Sequence, residues 1–251
     1  MIDIHTHIIP GIDDGAKDLE ESLNMIRKGY QAGITTLCAT PHIPPPSQID
    51  FGFEERILSG LNLLKTKLSE EKMEVKILLG SEININLDWR SLKDFSFFTL
   101  NHSGKFLLLE LPLGDIPSFT EEMIFNLAIE GYTPIIAHPE RSISQDSQIE
   151  RIERWVNLGA LFQLNAGSPL GYFGKRIKRI SWKLLKEGLV HFVASDAHDE
   201  KNRTIDSLAD AFPLIQKIAG EKKASEIFYQ NPKNIIKGEK LKSLSLQFLK
   251  E

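Results

Sequence analysis

The sequence predicts an α/β protein made of repeated βα units around a mainly parallel sheet, a single domain spanning residues 1–251. Three observations predict this. Apolar runs of strand length alternate with amphipathic stretches of helix length along the chain. Glycines follow the helical stretches at 33, 131, 159 and 188, where left-handed stops are usual. The strand-length runs also finish repeatedly on His, Asp or Glu, as expected when a barrel opens all its strand ends on one face.

The first strand runs from Met1 to Thr6, and Asp18 caps a helix over 18–32. A second strand covers Ile34 to Ala39, and Pro44-Pro45-Pro46 stiffens the following loop at the cavity rim before a helix over 53–71. The third strand is Val75 to Gly80 and the fourth Phe106 to Leu111, followed by a helix over 117–130 with Ser118 as its cap. Strands five, six and seven are Thr133 to Ala137, Ala160 to Asn165 and Val190 to Ser195, alternating with helices over 146–158, 173–187 and 204–219. From about Ala224 a short helix and a polar end follow, with a turn at Asn231-Pro232.

Composition narrows the function classes. A net charge of −4 provides no basic footprint for a phosphate backbone, so nucleic acid is not an expected partner. Cys38, the one cysteine, lies in an apolar run and reads as a buried thiol without a disulfide, which suits a reducing cytoplasm. No apolar stretch approaches the roughly 20 residues that span a bilayer, and the amino terminus lacks a basic flank and signal-like core. The expectation is a cytoplasmic protein without direct membrane insertion.

The chemistry sits at the strand ends. His5 and His7 are two residues apart, so they share one strand face and can bind one cation together. Later strands end on His42, Glu82, Glu110, His138, and Asp196 with His198. The Asp13-Asp14-Gly15 turn adds a carboxylate, with Asp14 favoured as the ligand and Asp13 as the turn former. Any one of these residues alone reads more simply as a hydrogen-bonded loop or core residue. Charged ends on six of seven apolar strands make a poor solution for stability, and a metal cluster accounts for them jointly. Five histidines and four carboxylates exceed what one tetrahedral ion accepts and imply two or three divalent ions bridged by carboxylate. Such mixed donors suit manganese, iron, zinc or magnesium. His102 and His191 lie away from this face and read as non-ligands, and Asp3 lies deeper on the His5 side as a supporting or interior carboxylate.

The set His5-x-His7, Asp14-Gly15, Thr40-Pro41-His42, Gly80-x-Glu82, His138-Pro-Glu-Arg141 and Ser195-Asp196-Ala-His198 resembles the polymerase and histidinol phosphatase (PHP) superfamily. More closely, it resembles the bacterial manganese-dependent tyrosine-protein phosphatases of capsule and exopolysaccharide operons. Gln163 to Ser168, Phe173-Gly174-Lys175 and the stretch from His191 to Arg203 extend the likeness over nearly the whole chain. The resemblance implies a distorted seven-stranded (β/α) TIM-like barrel, the PHP fold, holding three metal ions with manganese foremost. It groups His5, His7, Glu82 and Asp196 around one ion, Glu82, Glu110 and His138 around a second, and Asp14, His42 and His198 around a third.

A hydroxide held between cations attacks phosphorus in line, so phosphomonoester hydrolysis is the expected reaction. Arg141 and Arg203 follow ligand-bearing strand ends and match family arginines, so they are expected to close on the phosphate, with Asp196 as the third catalytic residue. Asp199 stands where relatives often carry Asn, and either donates a proton or shapes the pocket. The implied partner is the phosphotyrosine tail of a bacterial tyrosine kinase controlling polysaccharide export, with a homo-oligomer also open. After His42 the chain reads Ile-Pro-Pro-Pro-Ser-Gln, without the basic residues some relatives carry there, so peptide contacts differ. The rival readings are a small-molecule phosphatase acting on histidinol phosphate or a sugar phosphate, and a non-catalytic metal-stabilised scaffold that binds phosphoprotein. An amidohydrolase is weaker, because strand four offers Glu110 where those enzymes usually place a carbamylated lysine.

Overall fold

The structure, a computed structural model, describes residues 1–86 and 95–241. Eight strands among these residues form two parallel sheets. The first holds β1 (Ile2–Thr6), β2 (Thr36–Ala39) and β3 (Lys76–Leu79) in that order. The second holds β4 (Glu82–Asn84), β5 (Phe106–Glu110), β6 (Thr133–Ala137), β7 (Leu161–Asn165) and β8 (Phe192–Ala194). The expected count of seven is therefore corrected to eight, in two sheets that no continuous ladder closes into a ring.

The extra strand arises where the third apolar run continues through Gly80 and Ser81 into a different sheet. A Cβ at Gly80 would lie 2.7 Å from Leu100 Cδ2 and 3.2 Å from Leu100 Cα, so only glycine lets the chain slip past Leu100 as it changes partners. The sheets touch at two isolated parallel bridges, Thr6 with Ala197 and His42 with Glu82. His7 N donating to Ala197 O at 2.9 Å and Glu82 N donating to Pro41 O at 3.1 Å reinforce these seams. The first seam lies at the carboxyl end of β1 and just past that of β8, the second joins the loop after β2 to the start of β4, and both lie beside the predicted ligands.

Alternation along the strands sorts the core. Leu107, Leu109, Ile136 and Val193 join the large cluster that also contains Leu23, Leu64, Trp155, Leu184 and Ile215 from the helices. Their strand neighbours Phe106, Leu108, Ile135 and Phe192 meet Cys38 and Leu78 in a second cluster that spans both sheets. Ten α-helices accompany the strands among the described residues. They are α1 (Leu19–Gln31), α2 (Phe53–Glu70), α3 (Thr120–Ile129), α4 (Pro139–Ser142), α5 (Ile149–Asn157), α6 (Gly167–Leu170), α7 (Lys175–Lys186), α8 (Ser207–Ala219), α9 (Glu221–Ser225) and α10 (Asn231–Ile236).

Asp18 caps α1 by accepting from Glu21 N at 2.9 Å. Ser118 caps nothing: α3 begins later, with Phe119 at its N-cap and no side-chain cap bond. Asn231-Pro232 opens α10 rather than ending a helix, because proline is compatible with a first helical turn. The expected polar end lies outside the described residues beyond 241. Gly80→Val should lower stability by about 1–3 kcal/mol, read as a lower urea midpoint, because the branched side chain has no space under Leu100. An unchanged midpoint would remove Gly80 as the reason the third run splits.

Candidate metal centre

Glu82 lies at the centre of the converging side chains. Its Oε2 stands 3.1 Å from His5 Nε2, 3.2 Å from His7 Nε2 and 3.3 Å from His42 Nδ1, while Oε1 is 3.0 Å from His138 Nε2. Burial alone would raise this carboxyl's pKa, but the surrounding imidazoles His5, His138 and His7 hold it well below the usual carboxylate range. Asp196 Oδ1 is 3.3 Å from His5 Nε2 and 3.6 Å from His198 Nδ1. Asp14 Oδ1 is 3.5 Å from His42 Nε2 and 3.4 Å from His198 Nε2. Glu110 Oε1 is 3.9 Å from His138 Nε2, and burial together with the Glu82 charge raises its pKa to about 7.

All nine predicted ligand residues thus meet in one region. Their donor atoms, within 4.8 Å of one another in each set, form three groups: His7, Asp14, His42 and His198; His5, Glu82, His138 and Asp196; and His42, Glu82 and Glu110. Here His7 falls with Asp14 and His138 with His5. His7 also stays beside the residues the resemblance groups it with, its Nε2 3.2 Å from His5 Nε2 and from Glu82 Oε2 and 3.7 Å from Asp196 Oδ1, so it lies between two of the sets. His7 Nδ1 is held by Asp13 Oδ2 at 2.7 Å, and its ring centre lies 3.8 Å from that of His198. Burial disfavours the charged form of His7, yet hydrogen bonds to Asp13 and Glu82 raise its pKa to about 10. Burial and the neighbouring His7 charge push His198 down to about 3.

The donor set fits divalent cations. Asp196 Oδ1 and His198 Nε2 are buried and make no hydrogen bond, an unfavourable state for a carboxylate oxygen and an imidazole nitrogen unless a cation satisfies them. Several imidazoles crowding one carboxylate are also better explained as a shared coordination sphere than as hydrogen-bond donors. His138 and Asp196 adopt φ of 31° and 54°, a left-handed conformation costing of order 1–3 kcal/mol in non-glycine residues. Both lie just past strand ends, so the turn swings their side chains out of strand alternation and into the cluster.

A second layer orients the first. Asp13, which stood only as a turn former, accepts from Gly15 N at 3.0 Å and from His42 N at 2.9 Å besides holding His7. Gly15 permits this turn, because a Cβ there would fall 2.2 Å from His7 O. Gln163 Oε1 meets His5 Nδ1 at 3.0 Å, and Asn165 Nδ2 donates to Asp196 Oδ2 at 2.8 Å. Glu140 Oε1 accepts from Asn165 N at 3.0 Å and Ser168 Oγ at 2.6 Å. Asp3 Oδ1 accepts from Ser195 N at 3.1 Å and His5 N at 3.3 Å, joining the strand of His5 to the loop of Asp196. The available signal was β7 itself: it ends on no acid or histidine, yet carries buried Gln163 and Asn165 two residues apart.

Arg141 Nη1 and Arg203 Nη2 both donate to Asp196 Oδ2, at 3.0 and 2.5 Å. The Arg141 guanidinium also sits 4.8 Å over the Phe173 ring. Asp199 accepts from the backbone N of Lys201, Asn202 and Arg203 at 2.6, 2.6 and 3.3 Å. Slight burial opposes its ionisation, but these N–H groups hold its pKa below the usual value. Its carboxylate therefore shapes the Arg203 loop. His191 takes Phe162 N on its Nδ1 inside the core, and His102 packs against Phe97, both outside the three donor groups.

Comparison with known proteins gives the chain its relatives. Residues 1–237 match the family described as "Capsular polysaccharide synthesis, CpsB/CapC". Tyrosine-protein phosphatase YwqE of Bacillus subtilis (strain 168) is 34% identical over 222 residues, covering 88% of this chain and 86% of that protein. A solved structure from work on YwqE of Bacillus subtilis and CpsB of Streptococcus pneumoniae, described as unique metal-dependent tyrosine phosphatases, superposes with a TM-score of 0.87 at 32% identity over 96% of both chains. Histidinol phosphate phosphatase of Lactococcus lactis shares the fold at a TM-score of 0.55 and 15% identity, over 87% of this chain and 94% of that one.

Asp13→Ala should leave the far-UV circular dichroism unchanged but weaken manganese binding by about 10–100-fold in calorimetry, since it frees the His7 ring and the His42 backbone. Wild-type affinity in this variant would show that Asp13 does not orient the donors.

Proposed function

The chain belongs to the CpsB/CapC family of capsular polysaccharide synthesis, and from that premise we propose that it is a metal-dependent protein-tyrosine phosphatase acting on the phosphotyrosine tail of a bacterial tyrosine kinase. The observation that carries this reading is the meeting of nine histidine and carboxylate donors with two guanidiniums that share Asp196. We read the two sheets together as one distorted (β/α) barrel and residues 1–251 as a single cytoplasmic domain. The absence among the described residues of a helix long and apolar enough to cross a membrane is compatible with that placement.

The three donor groups would hold up to three divalent ions, with manganese the proposed metal, through His5, His7, Asp14, His42, Glu82, Glu110, His138, Asp196 and His198. Bound there, divalent ions supply Lewis acidity, making water nucleophilic at neutral pH and offsetting phosphoryl charge. The chain's own residues orient and enclose the reacting group. Asp14 is 65% exposed, His42 31% and Glu110 20%, while His5, His7, Glu82, His138 and Asp196 are buried, so substrate enters over the first three. Arg141 and Arg203 each engage Asp196 Oδ2 through one terminal nitrogen, and their remaining N–H groups take phosphoryl oxygens. Phe173 keeps the Arg141 plane fixed, and Asp199 fixes the loop from which Arg203 projects. A tyrosine leaving group has a parent pKa of about 10, so its departure needs no strong acid, consistent with an Asp199 that stays ionised.

The manganese-loaded protein should hydrolyse a phosphotyrosine peptide, stop on chelation, resume when manganese is returned, and turn over histidinol phosphate at least about tenfold less efficiently. Elemental analysis beside both assays checks this, and faster turnover of histidinol phosphate would make the chain a small-molecule phosphatase. Arg141→Ala should lower kcat about 10²-fold with unchanged metal content, because it removes one preorganised donor to the phosphoryl group. Loss of metal in that variant would make Arg141 a structural support of Asp196.

A further inference from the structure

Helix α7 carries six cations, Lys175, Arg176, Lys178, Arg179, Lys183 and Lys186, and no acidic residue, in a chain whose net charge is −4. Lys175, Lys178, Arg179, Trp182, Lys183 and Lys186, with Glu187 just past the helix, line one shallow outer concavity, while Ile180, Leu184 and Leu185 hold the opposite face in the core. This arrangement is unfavourable for the helix itself. Cations occupy its first turn, where the macrodipole favours anions, and like charges fall three and four residues apart along the exposed side. Five cations against the single acid Glu187 line the concavity, an imbalance a merely solvated face does not need.

Only part of the charge is neutralised. Arg179 pairs with Asp146 at 2.5 Å and Lys183 with Glu187 at 3.8 Å, whereas Lys175, Lys178 and Lys186 face no carboxylate within 4.0 Å among the described residues. Lys178 Nζ donates to Leu170 O at 3.5 Å and lies 5.4 Å from the Trp182 ring centre. The stripe also begins at the pocket. Phe173, under the Arg141 guanidinium, is two residues before the helix, and Arg176 donates to Ile143 O just past Arg141. Trp182 is the one aromatic on the face, too little apolar surface to insert into a bilayer.

We infer that the outer face of α7 is a docking surface for an acidic polypeptide, the stretch flanking the phosphotyrosine that occupies the neighbouring pocket. The inference rests on the phosphatase reading. The helix has 12 residues and is about 18 Å long, so five or six extended residues of about 3.3 Å each run its length. Carboxylates or further phosphates on that stretch meet Lys175, Lys178 and Lys186 in turn.

The test compares the full manganese-loaded chain with the triple variant Lys175→Ala, Lys178→Ala, Lys186→Ala, whose alanines favour helix and lie outside the metal pocket. The probes are labelled peptides with phosphotyrosine followed by a run of glutamates or of glutamines, free phosphotyrosine, and vesicles of phosphatidylcholine with phosphatidylserine. For the glutamate peptide the variant should show a KM and an anisotropy Kd about 10-fold higher, a kcat within about twofold, and a shallower salt dependence. The glutamine peptide and free phosphotyrosine should be handled as by wild type. Lys178→Glu with Lys186→Glu should in turn prefer a peptide carrying lysines in place of the glutamates. Unchanged binding of the glutamate peptide overturns the proposal, as does loss of vesicle binding with peptide binding intact, which would make the face a membrane contact. A wild-type protein that hydrolyses no phosphotyrosine ends the phosphatase reading, and the anisotropy comparison still decides the surface.

Discussion

Glu82 is the constraint around which the structure is arranged. A carboxylate that is fully buried and ionised costs several kcal/mol of lost hydration unless positive charge or donors surround it. Here His5, His7, His42 and His138 approach its two oxygens from three strand ends and a loop. Each imidazole is useful to Glu82 only from one direction, so the first, second and sixth strands must all terminate at the same depth. Glu82 also begins β4, so the residue that collects the charges is the residue at which the chain enters the second sheet.

The two seams between the sheets follow from this. Regular ladders would demand side chains alternating strictly in and out, and that alternation cannot send His42, Glu82, Asp196 and His198 to one spot. At both seams the ladder is reduced to a single bridge, with Asp196 N donating to His5 O at 3.0 Å and Ile43 N to Glu82 O at 3.1 Å. Left-handed turns at His138 and Asp196 do the rest. Backbone regularity is given up where the charged side chains must converge, and the second cluster, with Leu78, Leu108 and Phe192, keeps the sheets together below.

Much of this was legible because the strands report themselves twice, by apolar period two and by their charged ends. Asp14 facing His42 and His198, and Asp18 capping α1, follow from turn and cap chemistry carried by neighbouring residues. What escaped depends on distant residues. The third strand reads as ending at Gly80 with Glu82 on its end, and only Leu100, twenty positions on, explains why the chain passes at Gly80 into a second sheet. Asp13 reads as a turn former only, yet it also holds the His7 ring and the His42 backbone N. Gln163 and Asn165 carry no charge, so β7 looked irrelevant to a metal site although its amides hold His5 and Asp196. Ser118 and Asn231-Pro232 differ because the same residue types serve more than one local role: α3 starts a residue later without a side-chain cap, and a proline suits a first helical turn as well as a loop.

Asp196 carries the site's division of labour. Its Oδ1 turns toward the imidazoles of His5 and His198, while its Oδ2 gathers Arg141, Arg203 and Asn165. The opposing charges hold this carboxyl well below the usual range despite complete burial, so it stays an anion on both sides. Two guanidiniums pressed against one oxygen repel each other, and a phosphoryl dianion offers them more acceptors than Asp196 does. Binding substrate therefore spreads their charge over a second anion without unbinding the first. The same carboxylate that completes a metal-ligand set on one side presets the phosphate-binding arginines on the other, which explains why its backbone is held in a costly conformation.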